Sequence, residues 1–245
     1  MVDPKTPLFR YVSFDRFNQM LFSKELALMK PSKWDDEYEL YWLKMLDTLA
    51  GKGALQQFAE RFPGEKQINI EKINYLCKMV YGLKYCLCFS NQKDSEVMWR
   101  ARSDDSKGIM FATTAEKVLA LFPNEGYSKN IEIVQYDLES NDLERFLSNI
   151  RVTPEGTSMF DTDRIYLHKR TVFSYEQEVR LLVSPFSISK NEIIKVPIPV
   201  LSDFVDGVMV HPLARNEHVK LVELLCKYFD LSFCGRSTVY DFAPL

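Results

Sequence analysis

From residue 85 onward many of the apolar residues leave helical spacing and gather in short runs. These are Tyr85–Ser90, Lys107–Thr113, Ile131–Tyr136, Phe173–Val183, Asn191–Ile198 and Phe204–His211. Runs of this length, bounded by Gly, Pro, Asn, Asp and Ser, read as strands. So many in one chain must share a sheet, because an isolated strand leaves its backbone groups unpaired. Earlier the period is helical, with Leu40, Leu43, Leu46, Leu49, Leu55 and Phe58 recurring between Glu39 and Phe62. Gly51 and Gly53 are expected to break that stretch in two, and Ile70–Tyr81 reads as a further helix.

The remaining segments fill in around these. Leu8–Val12 reads as a first strand, and Leu26–Met29 as a second short apolar segment. Ser13 or Asp15 is placed to cap a helix to about Ser23, with Phe17, Met20 and Leu21 inward. Pro31–Asp36 reads as a loop. Ser95–Ala101 reads as a helix, and Thr114 caps another through Phe122. Leu143–Ile150 is expected to be helical and Arg151–Asp163 a loop. Asn191–Ile198 alternates and is placed to pair beside the Phe173–Val183 strand. Asn216–Phe229 is amphipathic, and the tail from Leu231 to Tyr240 is mildly strand-like. One α+β domain over residues 1–245, helical at about 39–82, accounts for the pattern.

Composition excludes several classes. With 46% hydrophobic and 13% aromatic residues the chain can build a core, so disorder is excluded over most of it. A net charge of −3 gives no broad attraction for nucleic acid or anionic membrane, leaving only a local basic cleft. The five cysteines (Cys77, Cys86, Cys88, Cys226, Cys234) are odd in number and irregular in spacing, which suits reduced, buried thiols. Cys86-Leu87-Cys88 lacks a second half and the three histidines are scattered, so no metal site is expected. No apolar run of about 18 residues and no signal-peptide pattern is found, so a soluble cytoplasmic protein is expected. GxGxxG, GxxxxGK[ST] and GxSxG are all absent, which disfavours dinucleotide-fold, P-loop and serine-hydrolase chemistry.

The stretch Phe173–Val183 carries the strongest chemical signal. As a buried-edge strand it puts Glu176, Glu178 and Arg180 on one face, with Tyr175, Val179, Leu181 and Val183 on the other. Carboxylates at i and i+2 lie roughly 7 Å apart, and their repulsion raises a pKa unless Arg180 or a ligand neutralises them. A solvated strand edge is the plain alternative. His168-Lys169-Arg170 reads as a solvated loop, or else as a phosphate contact. Trp34-Asp35-Asp36-Glu37 reads as solvated or capping, with Mg²⁺ binding as the alternative. Trp99 reads as core, and His211 as structural rather than a base.

The chain resembles a bacterial family known as domain of unknown function 2971. The residues carrying this are Leu8–Phe14, Trp34–Glu39, Cys88-Phe89-Ser90, Met98-Trp99 with Lys107-Gly108, and Tyr175–Arg180. The chain departs from the family pattern at Arg100-Ala101-Arg102, where Ser-His-Tyr is usual. A more distant resemblance is to the Arg-Ser-Glu pattern of ADP-ribosyltransferases, falling on Arg10, Ser90 and Glu178 with Glu176 upstream. It implies a mixed, mainly antiparallel sheet and NAD⁺ as substrate, without metal. It implies catalytic roles for Glu178, Glu176 and Ser90, and cofactor binding by Arg10, Tyr11, Tyr175 and Arg180. It also implies a toxin or antiviral effector, an acceptor of unspecified class and a neutralising partner. Arg100 and Arg102, with His168 and Lys169, are placed to gather a phosphate-rich substrate. A glycohydrolase using water as acceptor, or a non-catalytic sensor or partner-binding subunit, would carry the same residues.

Overall fold

The computed structural model of the chain describes residues 2–34, 53, 56–57, 84–102, 106–136, 150–152, 158–160, 166–187 and 190–241. The helices expected at 39–62 and 70–81 therefore fall, apart from residues 53 and 56–57, outside the described residues. So do Asp35, Asp36 and residues 143–149. Gly53, expected to break a helix, is itself helical.

β1 (Pro7–Val12) leads into α1 (Phe14–Ser23) and β2 (Glu25–Met29), followed by a 3-10 turn at Pro31–Lys33. Next come β3 (Tyr85–Ser90), α2 (Glu96–Arg102), β4 (Ile109–Thr114), α3 (Ala115–Ala120) and β5 (Tyr127–Ile133). β6 (Ile150–Val152) and β7 (Ser158–Phe160) pair as a small ribbon where a loop is expected. A second 3-10 turn, Thr171–Glu176, precedes β8 (Glu178–Pro185). β9 (Ile193–Pro197), α4 (Leu201–Phe204), β10 (Gly207–Val210), α5 (Asn216–Tyr228) and β11 (Phe233–Arg236) complete the described elements. Local capping starts two helices as the sequence predicts. The Ser13 hydroxyl accepts from the Arg16 amide, and the Thr114 hydroxyl from the Lys117 amide.

The fold class is α+β with a mixed, mainly antiparallel sheet. The order β11-β10-β4-β1-β3-β2-β9 is extended by β8 on β3 and β5 on β8. Only β10 and β11 run parallel among these strand pairs. Two placements differ from expectation. Residues 191–198 do not lie beside β8, because β3 and β5 occupy both of its edges, and β9 pairs with β2 instead. Its alternate residues are exposed, which suits a strand with one free face. Phe204 ends a short helix, so the expected strand begins only at Gly207.

Alternation divides the side chains between two faces. Leu8, Leu87, Phe89, Val179, Leu181, Ile109, Phe111, Val208 and Val210 form the main core with Phe17 and Leu21 of α1 and Val222 of α5. On the other face Phe9, Tyr11, Met110 and Met209 pack under Met98 and Trp99 of α2. Every β8 residue from Glu178 to Val183 is buried, so this strand is interior rather than an edge. No helix among the described residues is long and apolar enough to cross a membrane.

Candidate active site

β3 is the junction of the sheet. One edge runs along β8, from Tyr85↔Val183 to Ser90↔Glu178. The other edge is divided, meeting β1 at Phe9↔Ser90 and β2 at Met29↔Cys86. Phe9, Ser90 and Glu178 thus form one row, two strand spacings or about 10 Å wide. Directly opposed residues share a face, so Ser90 and Glu178 lie on the same side as Cys88 and Arg180. That side is covered by the segment running from Tyr166 through the second 3-10 turn.

The turn corrects the strand reading of Tyr175 and Glu176. Phe173-Ser174-Tyr175-Glu176 alternates aromatic and polar residues like a strand, yet the backbone coils through Glu176 and strand geometry starts at Glu178. Gln177 between them is left-handed, at φ 38°. For a residue with a side chain this costs roughly 1–2 kcal/mol. Tertiary bonds offset it. The Ser90 hydroxyl donates to the Glu176 carbonyl at 2.7 Å, and the Asn91 amide to the Gln177 carbonyl at 3.0 Å. The turn swings the Glu176 carboxylate off the strand and back over Glu178. Strain held in place by surrounding bonds is typical of functional sites.

Two carboxylates and three cations meet there. Glu178 is 2% exposed; its Oε1 accepts from Arg180 Nε at 2.6 Å and its Oε2 from Lys169 Nζ at 3.1 Å. Lys169 also donates to Glu176 Oε2 at 2.6 Å, and Arg102 Nη2 lies 3.4 Å from Glu176 Oε1. Arg180 is 0% exposed, donates to the Tyr166 carbonyl and stacks on the Trp34 ring at 4.6 Å. The Glu178 amide donates to the Tyr136 hydroxyl at 2.6 Å. Burial pushes that phenol up to about 12, so it stays neutral.

The environments separate the two carboxyls. For Glu178, burial favours the protonated form, but Arg180 and Lys169 outweigh it and hold the carboxyl well below the usual carboxylate range. For Glu176, burial wins over Lys169 and Arg102, and its pKa is raised. The two environments thus press the carboxyls in opposite directions, Glu178 toward the anion and Glu176 toward the protonated form.

The other expected site residues stand around this cluster. Arg10 lies one residue past the Phe9–Ser90–Glu178 row, so its side chain starts on the opposite face. Its guanidinium bonds the Cys88 carbonyl beside the point where β1 leaves β3, 5.8 Å over the Phe89 ring. Burial lowers its pKa to about 10, which leaves it cationic at neutral pH. Tyr11 is buried, accepts from the Ser95 amide, donates to the Gln92 carbonyl and packs edge-on against Trp99. Tyr175 is half-buried beside Phe173. Trp99 is buried and donates to Asp94; His211 is buried and accepts from the Leu213 amide.

Lys169 corrects the solvated-loop reading of His168-Lys169-Arg170. It is 6% exposed, and its charge is directed at the carboxylates, not at solvent. The only sequence signal was a lysine seven residues before Glu176, which says nothing of burial. Tyr136 carried no signal beyond ending a predicted strand. Arg100 pairs with Glu96 in its own helix, so only Arg102 of that pair turns toward the carboxylates. Among the described residues no group of three or more His, Cys, Asp or Glu could hold a metal ion.

No family model matches the chain, and no curated protein matches it. Among solved structures it is similar to Thermus sp. 2.9 DarT in complex with ADP-ribosylated single-stranded DNA. That match has a TM-score of 0.40 at 10% identity and covers 96% of this chain and 95% of the other. The same protein in complex with NAD⁺ gives a TM-score of 0.39 at 10% identity, over 96% of each chain. Its complex with carba-NAD⁺ gives 0.37 at 11% identity, over 96% of this chain and 95% of that one. At such scores the likeness carries no argument about activity, which rests here on the site's own geometry.

Proposed function

We propose that the chain is an NAD⁺-using enzyme of the ADP-ribosyltransferase type that cleaves the nicotinamide–ribose bond. One observation carries the proposal: Glu176 and Glu178 sit together at the sheet junction on one shared ammonium, with Ser90 opposite Glu178; the directions of their pKa shifts, one raised and one lowered, support it. Carboxyls whose environments push their pKa values apart take separate acid–base tasks.

In the proposed reaction the C–N glycosidic pair leaves with neutral nicotinamide, and positive charge builds on the ribose. A carboxylate that is ionised at every working pH stabilises that charge electrostatically, which is the role assigned to Glu178. The acceptor then bonds to the ribose carbon and loses its proton to Glu176. Arg10 contributes a cation for the pyrophosphate. Ser90 acts through the Glu176 carbonyl it bonds, and Arg180 through Glu178, whose carboxylate it holds. Tyr175 is assigned to nicotinamide stacking. Tyr11 supports the same face through the bonds it makes to residues 92 and 95.

The test is chromatography of NAD⁺ incubated with the protein and with Glu178→Gln, each with and without cell lysate or single-stranded DNA. Nicotinamide release falling by about 10²–10³-fold in the variant is expected. A requirement for lysate or DNA marks transfer, and release without them marks hydrolysis. Intact NAD⁺ in every arm sinks the proposal. The toxin or antiviral role is a further proposal, in which induced wild type arrests bacterial growth and Glu178→Gln does not.

A second reading has one observation in its favour: both Glu178 oxygens are occupied and the residue is 2% exposed. In that reading the cluster is a buried ionic clamp of a binding subunit. Glu178→Gln would then lower the melting temperature and leave no catalysis to lose.

A further inference from the structure

Resting on the reading above, we propose that Lys169 is the positioning residue of the carboxylate pair, its single ammonium holding Glu176 and Glu178 together in one arrangement. The geometry is specific. Nζ lies 2.6 Å from Glu176 Oε2 and 3.1 Å from Glu178 Oε2, so one cation joins the two side chains. Its other side faces the Phe173 ring, 4.9 Å from the centroid, which shields the contact from water. The backbone is anchored too: the Lys169 amide donates to the Gln135 carbonyl at 2.9 Å, one residue before Tyr136.

Among the described residues no other cation bonds both carboxylates. Arg180 touches Glu178, and Arg102 touches Glu176 from an exposed helix end. Tyr136 faces both carboxylates as a neutral phenol, and the Cys88 thiol hydrogen-bonds Glu178. Glu178 keeps a second strong cation if Lys169 is lost. Among the described residues Glu176 keeps a long contact to a half-exposed guanidinium, which solvent screens. Removing Lys169 therefore acts unequally, raising the proton affinity of Glu176 more than that of Glu178. It also frees the Glu176 carboxylate to leave its place over Glu178.

The experiment uses the whole chain without NAD⁺, with ¹³C-labelled glutamate carboxyls followed by NMR against pH. Glu176→Gln and Glu178→Gln assign the two signals. In Lys169→Met the Glu176 midpoint is expected to rise by about one pH unit or more, a tenfold change in proton affinity. In Lys169→Arg, which keeps the charge, it is expected to move by less than half as much. A Glu176 midpoint unchanged in Lys169→Met, or moved equally in both variants, overturns the proposal. If Lys169→Met does not fold, Lys169→Gln takes its place with the same two outcomes. A parallel kinetic arm expects kcat of Lys169→Met to fall about tenfold or more, its acidic limb moved up and KM within about threefold. Absence of NAD⁺ turnover in the wild type would sink the proposed function. The carboxyl titration would still decide the role of Lys169.

Discussion

Arg180→Met puts the buried cluster under the most demanding test. The guanidinium is fully buried and makes three described contacts: Glu178 Oε1, the Tyr166 carbonyl and the Trp34 ring. Methionine fills much of the stem's volume but leaves Glu178 with Lys169 as its remaining strong cation. Removing one member of a buried ion pair costs about 3–5 kcal/mol. In a domain of this size each kcal/mol moves the melting temperature by about 2–4 °C, so a fall of about 6–20 °C is expected near pH 7.5. The pH dependence distinguishes charge from packing. In the wild type the folded pKa of Glu178 lies below its unfolded value. Its stabilisation is therefore complete above the unfolded value of about 4.3 and is lost as pH falls toward the folded one. In the variant, burial is opposed by less charge and the folded pKa rises. With burial opposed by Lys169 alone, that pKa is expected to pass the unfolded value; stability then falls as pH rises between the two, and the gap between variant and wild type is expected to widen from pH 5 to pH 7.5. Circular-dichroism melts at both pH values read this directly. A gap that is the same at both, or under about 1 kcal/mol at either, refutes the account of Glu178 as a buried, guanidinium-held anion.

Two further variants probe the turn and the rim. Ser90→Ala removes the donor to the Glu176 carbonyl and the acceptor for the Gln92 amide. A loss of about 1–3 kcal/mol in denaturant melts is expected, with faster amide exchange at residues 171–177; unchanged exchange there would mean that Ser90 does not hold the turn. Arg102→Gln removes an exposed partner of Glu176, so stability should change by less than about 1 kcal/mol. Because Arg102 lowers the Glu176 pKa, its loss should move the Glu176 carboxyl titration upward, and a downward move would contradict the contact.

How far the chain announces this arrangement depends on how local each cause is. Caps at Ser13 and Thr114 act over three residues, so a reader of the sequence can find them. Strands at Leu8–Val12 and Tyr85–Ser90, and the amphipathic helix at Asn216–Phe229, follow from apolar spacing that any partner must bury. Ser90, Glu176 and Glu178 are likewise visible as residues. Their relation is not. Ser90 meets Glu178 because β3 and β8 pair in one register across 88 positions of sequence, and no local feature encodes that partner. The Phe173–Glu176 run alternates like a strand, yet it coils into a turn that bonds from Ser90, Asn91 and Lys169 help to hold. Lys169 looks like one member of a wet basic loop until the chain closes over it. Burial then changes its meaning, because the same ammonium that water would screen becomes a strong constraint shared by two carboxylates. The sequence alone determined elements such as the Leu8–Val12 and Tyr85–Ser90 strands and the Asn216–Phe229 helix, since periodicity and capping are local. Tertiary structure alone decided which charges left water and met. That choice depends on contacts between segments far apart in the chain.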